Sequence, residues 1–145
     1  MEAALDAFRS GFPNYLLFTG LAGLLLLITS AVYVLLTPWK ELALLKGGNG
    51  TAGLALAGAI IGLAIPLAAN VASSSSVVDF LIWSVVSLLM QLLAYRLTDM
   101  ILRDLPRRIE QDEAGAAIVL IAVKLSTAMI LAAGLWDPNV HMLRV

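Results

Sequence analysis

Residues 37–67 read TPWKELALLKGGNGTAGLALAGAIIGLAIPL, and the fold turns on how this stretch is read. A charged segment with Lys40, Glu41 and Lys46 passes through the turn Gly47-Gly48-Asn49-Gly50 into an apolar run without a single charge. The run over residues 51–71 matches the about 20 residues a helix needs to cross a bilayer. Asn49 or Thr51 is placed to cap its start, and Gly58 and Gly62 stand one helical turn apart.

Working outward, residues 14–36, 78–101 and 114–136 are three more spans of the same kind. The composition agrees. The 145 residues are 61% hydrophobic and 13% charged, against about 45–50% and about 25% in a soluble domain. Mean hydropathy is +0.95. The fold class expected is all-α, a polytopic membrane protein whose four helices form two parallel-related hairpins. Residues 1–13 read as a short interfacial helix or a frayed terminus.

Lysine and arginine gather at one side, and cytoplasmic loops hold the excess of positive charge. Lys40 and Lys46 lie between spans one and two, and Arg96, Arg103, Arg107 and Arg108 at or between spans three and four. Both hairpin loops are thus expected in the cytoplasm, with both termini and the Ser73–Ser76 linker outside. A shift of 62 positions superposes Phe18 on Phe80, Tyr33 on Tyr95, and Ala52-Gly53 on Ala114-Gly115. A duplication follows, within one membrane domain over 1–145: repeat one over about 14–71 and repeat two over about 77–136, related about the membrane normal.

The net charge of -1 carries no field that would gather nucleic acid. Without cysteine there is no disulfide or thiol chemistry, and His141 alone cannot build an imidazole metal site. No metal, no cofactor and no catalytic residue is expected. Serine-histidine-aspartate and paired-carboxylate spacings are missing, Asp137 with His141 is too terminal to replace them, and no phosphate-binding GxxxxGK[ST] pattern occurs. Trp39, Trp83 and Trp136 sit near span ends, where aromatic belts lie.

Lys124 breaks the pattern, since it falls mid-span at ~15 Å depth for a 1.5 Å rise per residue. Such a lysine faces the bundle interior or a wet cavity. Gln91, Tyr95 and Asp99 lie at depths of ~16, ~10 and ~4 Å and complete a candidate polar core or pathway. Asp99 also has Arg96 and Arg103 as helical neighbours, which makes a solvated cluster the plainer reading. Gly58, Gly62 and Pro66 form a packing face, and Pro66 deprives the Gly62 carbonyl of its helical donor. The expectation is that Lys124 packs over Gly58 and Gly62 and hydrogen-bonds Gln91, Tyr95 or that carbonyl. Glu41, Lys46 and Asn49 belong to the cytoplasmic loop, where the helix-start N–H groups cap internally or bind an anion. The second loop, rich in Arg and Glu, reads as a solvated extension.

The ordered series Thr37-Pro38, Glu41, Leu44-Leu45-Lys46, Asn49, Ala52, Leu54-Ala55, Gly58, Gly62 and Ile65-Pro66-Leu67 resembles the YjfL-like family of small bacterial inner-membrane proteins, domain of unknown function number 350. Asp79, Trp83, Gln91-Leu92 and Ala114-Gly115 extend the likeness. The resemblance implies four spans in two repeats, bacterial inner-membrane localisation and no established activity. It also suggests a cytoplasmic partner like phage shock protein A in envelope stress. The function expected is a non-enzymatic, homo-oligomeric membrane anchor or sensor in the lipid bilayer. The alternative is a small channel or transporter with a polar path around Lys124.

Overall fold

The computed structural model describes residues 2–37, 40–74 and 76–135; Pro38, Trp39, Trp136, Asp137 and His141, named above, lie outside them. Four long helices carry the architecture: α1 (Glu2–Leu36), α3 (Gly50–Ser73), α4 (Val77–Leu102) and α6 (Ala114–Leu135). All four are long and apolar enough to cross a membrane. Two short helices, α2 (Glu41–Lys46) and α5 (Leu105–Glu110), sit in the hairpin loops. The loops share one end of the bundle, called the loop end below. The connection between α3 and α4 marks the other, the linker end.

α1 corrects one expectation, because residues 2–13 form no separate interfacial helix but continue the first span. Pro13 removes one backbone donor, yet the surrounding Ala, Leu, Phe and Arg favour helix, and Phe8, Phe12 and Tyr15 stack along one face. The second loop also differs from a solvated extension. Leu105 and Ile109 of α5 are fully buried against Ala52, Ala55, Ala116, Ala117 and Leu120. Spacing by four puts both leucine-type side chains on one face, while Arg107, Arg108 and Glu110 keep to the other sides.

The interior inverts the pattern of a soluble protein. Leu27, Leu35, Met100, Ile101 and Ile130 point outward, as lipid-facing residues do, whereas the buried face of α4 holds Ser84, Ser87, Gln91, Tyr95 and Thr98. Because lipid is as apolar as leucine, small residues and polar contacts hold such helices together. α3 is the most buried span and packs most extensively on α6. A Cβ on Gly58 would stand 2.5 Å from Ile121 Cγ1, so that approach requires glycine. α1 is the least buried and leans mainly on α3.

The two loops clasp each other. Asn49 caps α3 by accepting from the Ala52 N–H at 2.7 Å, and its amide donates to the Ile109 carbonyl at 2.9 Å. In return Asp112 Oδ1 accepts from the Thr51 N–H at 2.8 Å. The helix-start donors that could hold an external anion are thus met from within. The turns preceding α3 and α6 match bond for bond. Gly47, Gly48 and Asn49 donate to Ala43, Leu45 and Leu44, while Gln111, Asp112 and Glu113 donate to Arg107, Ile109 and Arg108, each shifted by 64 positions. Gly48 and Asp112 both take the left-handed conformation that closes this turn.

The bond from the Thr51 backbone holds the Asp112 carboxyl below its ordinary range, and the Arg108 guanidinium does the same for Glu113. A depressed folded value gives stability that is complete above the unfolded value and lost as pH falls through the folded one. Acidification below the usual carboxylate range should therefore loosen the loop end. Protection of the Thr51 amide, taken relative to its intrinsic exchange rate at each pH, should fall there in detergent, and Asp112→Asn should bring that loss of protection to neutral pH; unchanged protection in the variant would refute the clasp.

Candidate functional site

Polar residues run along the axis of the bundle in two sets with opposite character. Near the linker end, the buried groups among the described residues are answered. Asn70 of α3 donates to the Phe80 carbonyl at 2.7 Å and to Ser84 Oγ at 3.2 Å, and Ser74 Oγ donates to Asn70 Oδ1 at 2.6 Å. Ser84 and Ser87 return their hydroxyls to carbonyls of their own helix. This set locks α3 to α4.

At mid-span Gln91 joins three helices. Its Nε2 donates to the Gly62 carbonyl at 3.0 Å and the Lys124 carbonyl at 3.2 Å. Gly62 is the residue whose oxygen Pro66 leaves without a helical donor, and a polar atom in hydrocarbon must find a partner. A side chain at Gly62 would collide with the same amide, since its Cβ would lie 3.0 Å from Gln91 Oε1. The small-residue face of α3 is therefore filled by Ile121 and Gln91 rather than by the lysine.

From Gln91 towards the loop end the pattern reverses. Lys124 is 0% exposed, and its ammonium lies 3.7 Å from the centroid of the Tyr33 ring. The aromatic face attracts a cation, more strongly where water is excluded. Lys124 Nζ, Tyr33 Oη, Gln91 Oε1 and Ser30 Oγ are all buried without a hydrogen bond. Glu41, placed in a loop by its sequence context, is also 0% exposed. It opens α2, and its charge acts on Tyr33, Tyr95 and Lys124, so α1, α2, α4 and α6 all contribute to the cluster. Tyr95 is buried, with Arg96 over its ring.

A cavity of about 380 Å³ at the loop end is lined by Val34, Thr37, Lys40 and Glu41, of which Glu41 alone belongs to this cluster. Leu26, Leu63, Leu88 and Leu92 pack around Tyr33 and Ala59. Asp99 acts on Tyr95 ahead of Glu41 and also accepts from the Leu105 N–H at 3.1 Å at the start of α5. Lys46 is exposed in the last turn of α2, and Asn49 belongs to the clasp. Among the described residues, no set of His, Cys, Asp and Glu is grouped to hold a metal ion.

Sequence reasoning missed Tyr33, Asn70 and Ser84. The signal for Tyr33 was available, since it aligns with Tyr95 and lies within lysine reach of Lys124. Ser84 also left a trace, as the first of a row with Ser87, Gln91, Tyr95 and Thr98 spaced by three or four along one helical face. Asn70 gave no comparable signal.

Comparison with known proteins adds the following. The family profile of the Domain of Unknown Function (DUF350) matches residues 7–135. The UPF0719 inner membrane protein YjfL of Escherichia coli strain K12 is 28% identical over 116 residues, covering 80% of this chain and 86% of the relative. The protein of the same name from Escherichia coli O157:H7 matches to the same extent. No solved structure matches.

Proposed function

Because this chain belongs to the DUF350 family, whose name carries no activity, we propose a function from the chemistry of its core: a small channel or transporter of ions whose pathway runs around Lys124. The observation that carries this reading is the contrast between the two halves of the polar axis. Hydrogen bonds saturate the linker half, whereas the loop half buries an ammonium, a phenol and an amide oxygen without any. Such groups are costly in a membrane and mark ion or proton pathways. Their unmet hydrogen-bonding capacity is suited to water or a passing ion, and the cavity lined by Glu41 lies on the loop-end side of them. Leu26, Leu63, Leu88 and Leu92 pack around Tyr33 at the same level and would have to part for an ion to pass.

We place the protein in the bacterial inner membrane, as the name of its Escherichia coli relatives suggests, with the loop end in the cytoplasm and both termini outside. In liposomes the protein should pass protons or small monovalent ions above the protein-free background, and Lys124→Met should return flux to that background. No flux from a folded wild type, or full flux from the variant, refutes the pathway.

One observation favours a second reading, an oligomeric anchor or sensor in envelope stress whose loop end meets a partner like phage shock protein A. The ladder of Phe8, Phe12 and Tyr15 is exposed on an α1 with little buried surface, which leaves that helix available to a second copy. A monomeric mass in mild detergent and in nanodiscs would remove this reading.

A further inference from the structure

Two cavities adjoin on the side of α1 that faces α3. One, about 600 Å³, lies at the linker end and is lined by Asn14, Tyr15, Thr19, Ser74 and Ser76 among others. The next, about 360 Å³, follows the groove between α1 and α3 past Ala22, Gly23, Ala64, Leu67 and Ala68. Thr19 and Val71 line both. Together they form a polar cup at the helix ends that opens into an apolar slot at hydrocarbon depth.

The second hairpin contains the same groove, between α4 and α6. Trp83, Val86, Ser87, Leu131 and Leu135 line it, each 64 positions after Thr19, Ala22, Gly23, Leu67 and Val71. The shift is the one that relates the two loop turns. There the cavity measures only about 160 Å³. Indole and valine side chains occupy what threonine and alanine leave open in the first hairpin. A Cβ on Gly23 would meet nothing within 4 Å, so the emptiness reaches the α1 backbone.

We propose that this slot and cup bind one zwitterionic phospholipid, an acyl chain taking the place that Trp83 and Val86 fill in the other half. The combined space is of the size that specific ligand sites have. Its chemistry changes from apolar to hydrogen-bonding along its length, which fits an amphiphile; a second copy's helix would fill the slot and leave the cup's amide and hydroxyls facing apolar side chains. Among the described residues, no charged side chain lines either part. A headgroup of net charge zero is matched by the Asn14 amide and the Thr19 and Ser76 hydroxyls, whereas a net anionic one finds no cation there.

The test uses the full chain, delipidated in detergent, titrated with dioleoyl-phosphatidylethanolamine or dioleoyl-phosphatidylglycerol, and weighed by native mass spectrometry. One phosphatidylethanolamine per chain should remain bound, at about tenfold or greater preference, equivalent to about 1.4 kcal/mol. Gly23→Leu should lose this adduct. Asn14→Leu should keep a lipid but lose the preference. Gly134→Leu, in the narrow groove and equally unobstructed, should behave as wild type, and circular dichroism establishes that each variant is folded. Equal retention by a folded Gly23→Leu, a preference for phosphatidylglycerol, or a fall in oligomer mass in place of lipid loss would each overturn the proposal.

Discussion

Gly58→Leu should prevent the protein from accumulating in the membrane as a folded bundle. At this position α3 and α6 approach so closely that even a Cβ meets Ile121 Cγ1 at 2.5 Å, Cβ at 3.2 Å and Cα at 3.4 Å. Ile121 cannot swing away, because the obstructing atoms adjoin its own backbone and a β-branched side chain is stiff at χ1. The helices themselves must separate. Overpacking by one methyl costs about 1–3 kcal/mol, so Gly58→Ala should already shift the unfolding equilibrium by about tenfold or more, at 1.4 kcal/mol per decade. Leucine adds three carbons to that clash. Gly53 provides the contrast: its Cβ would meet Leu45 Cδ1 at 2.9 Å, the mobile tip of a flexible side chain. Gly53→Ala should therefore unfold at nearly the wild-type denaturant concentration. Helicity followed through a dodecyl sulfate titration measures all three, and equal midpoints for Gly58→Ala and wild type would contradict the packing described.

Gln91→Leu should be the second severe change, for an electrostatic rather than a steric reason. The variant fills similar space but leaves the Gly62 carbonyl without the donor that replaces the missing N–H of Pro66. An abandoned buried acceptor costs about 1–3 kcal/mol, and the loss should appear in the same titration. The cause can be isolated because the backbone can supply the missing donor. In Pro66→Ala the new N–H reaches the Gly62 carbonyl in the ordinary helical way, so Gln91→Leu should cost much less there than in wild type. A coupling of about 0.5–3 kcal/mol is expected for groups sharing one network. A cycle with no coupling would mean that Gln91 acts through packing alone.

Long apolar runs declare themselves, so the four spans were legible in the composition of residues 14–36, 51–71, 78–101 and 114–136. Lys124 was legible as an anomaly for the complementary reason: one charge within such a run has no bland neighbours to hide among. Glu41 was not. A glutamate between two lysines in a short loop has the same local signature whether it faces water or turns inward. Only the placement of α2 decides: it packs on α3 and turns Glu41 towards Tyr33, Tyr95 and Lys124, which lie far apart in the chain. Asp112 was hidden in the same way among the charges of its loop, and its partner Thr51 is far away in sequence. The short α5 escaped because a pair such as Leu105 and Ile109 is too brief to establish a period. The offset of 62 marked Tyr33 and Tyr95, whereas the loop turns and the grooves match at 64. An ungapped comparison catches one of these registers and passes over the other.

α1 differs from its neighbours in how it is attached. The hydroxyls of Ser10, Thr29 and Thr37 all return to carbonyls of α1 itself, and it meets α4 through apolar contacts alone, Phe18 edge-on to Phe80 and the leucines packed with Tyr33. The other three spans are stitched to one another by Asn70 and Gln91. α1 therefore behaves as a lever of ~52 Å resting against a braced three-helix frame. Its short arm ends near Tyr33, the ring over which the Lys124 nitrogen sits. A tilt too slight to disturb any bond in the frame would uncover Lys124 at the short arm and sweep Phe8 and Phe12 through several times that distance at the long one.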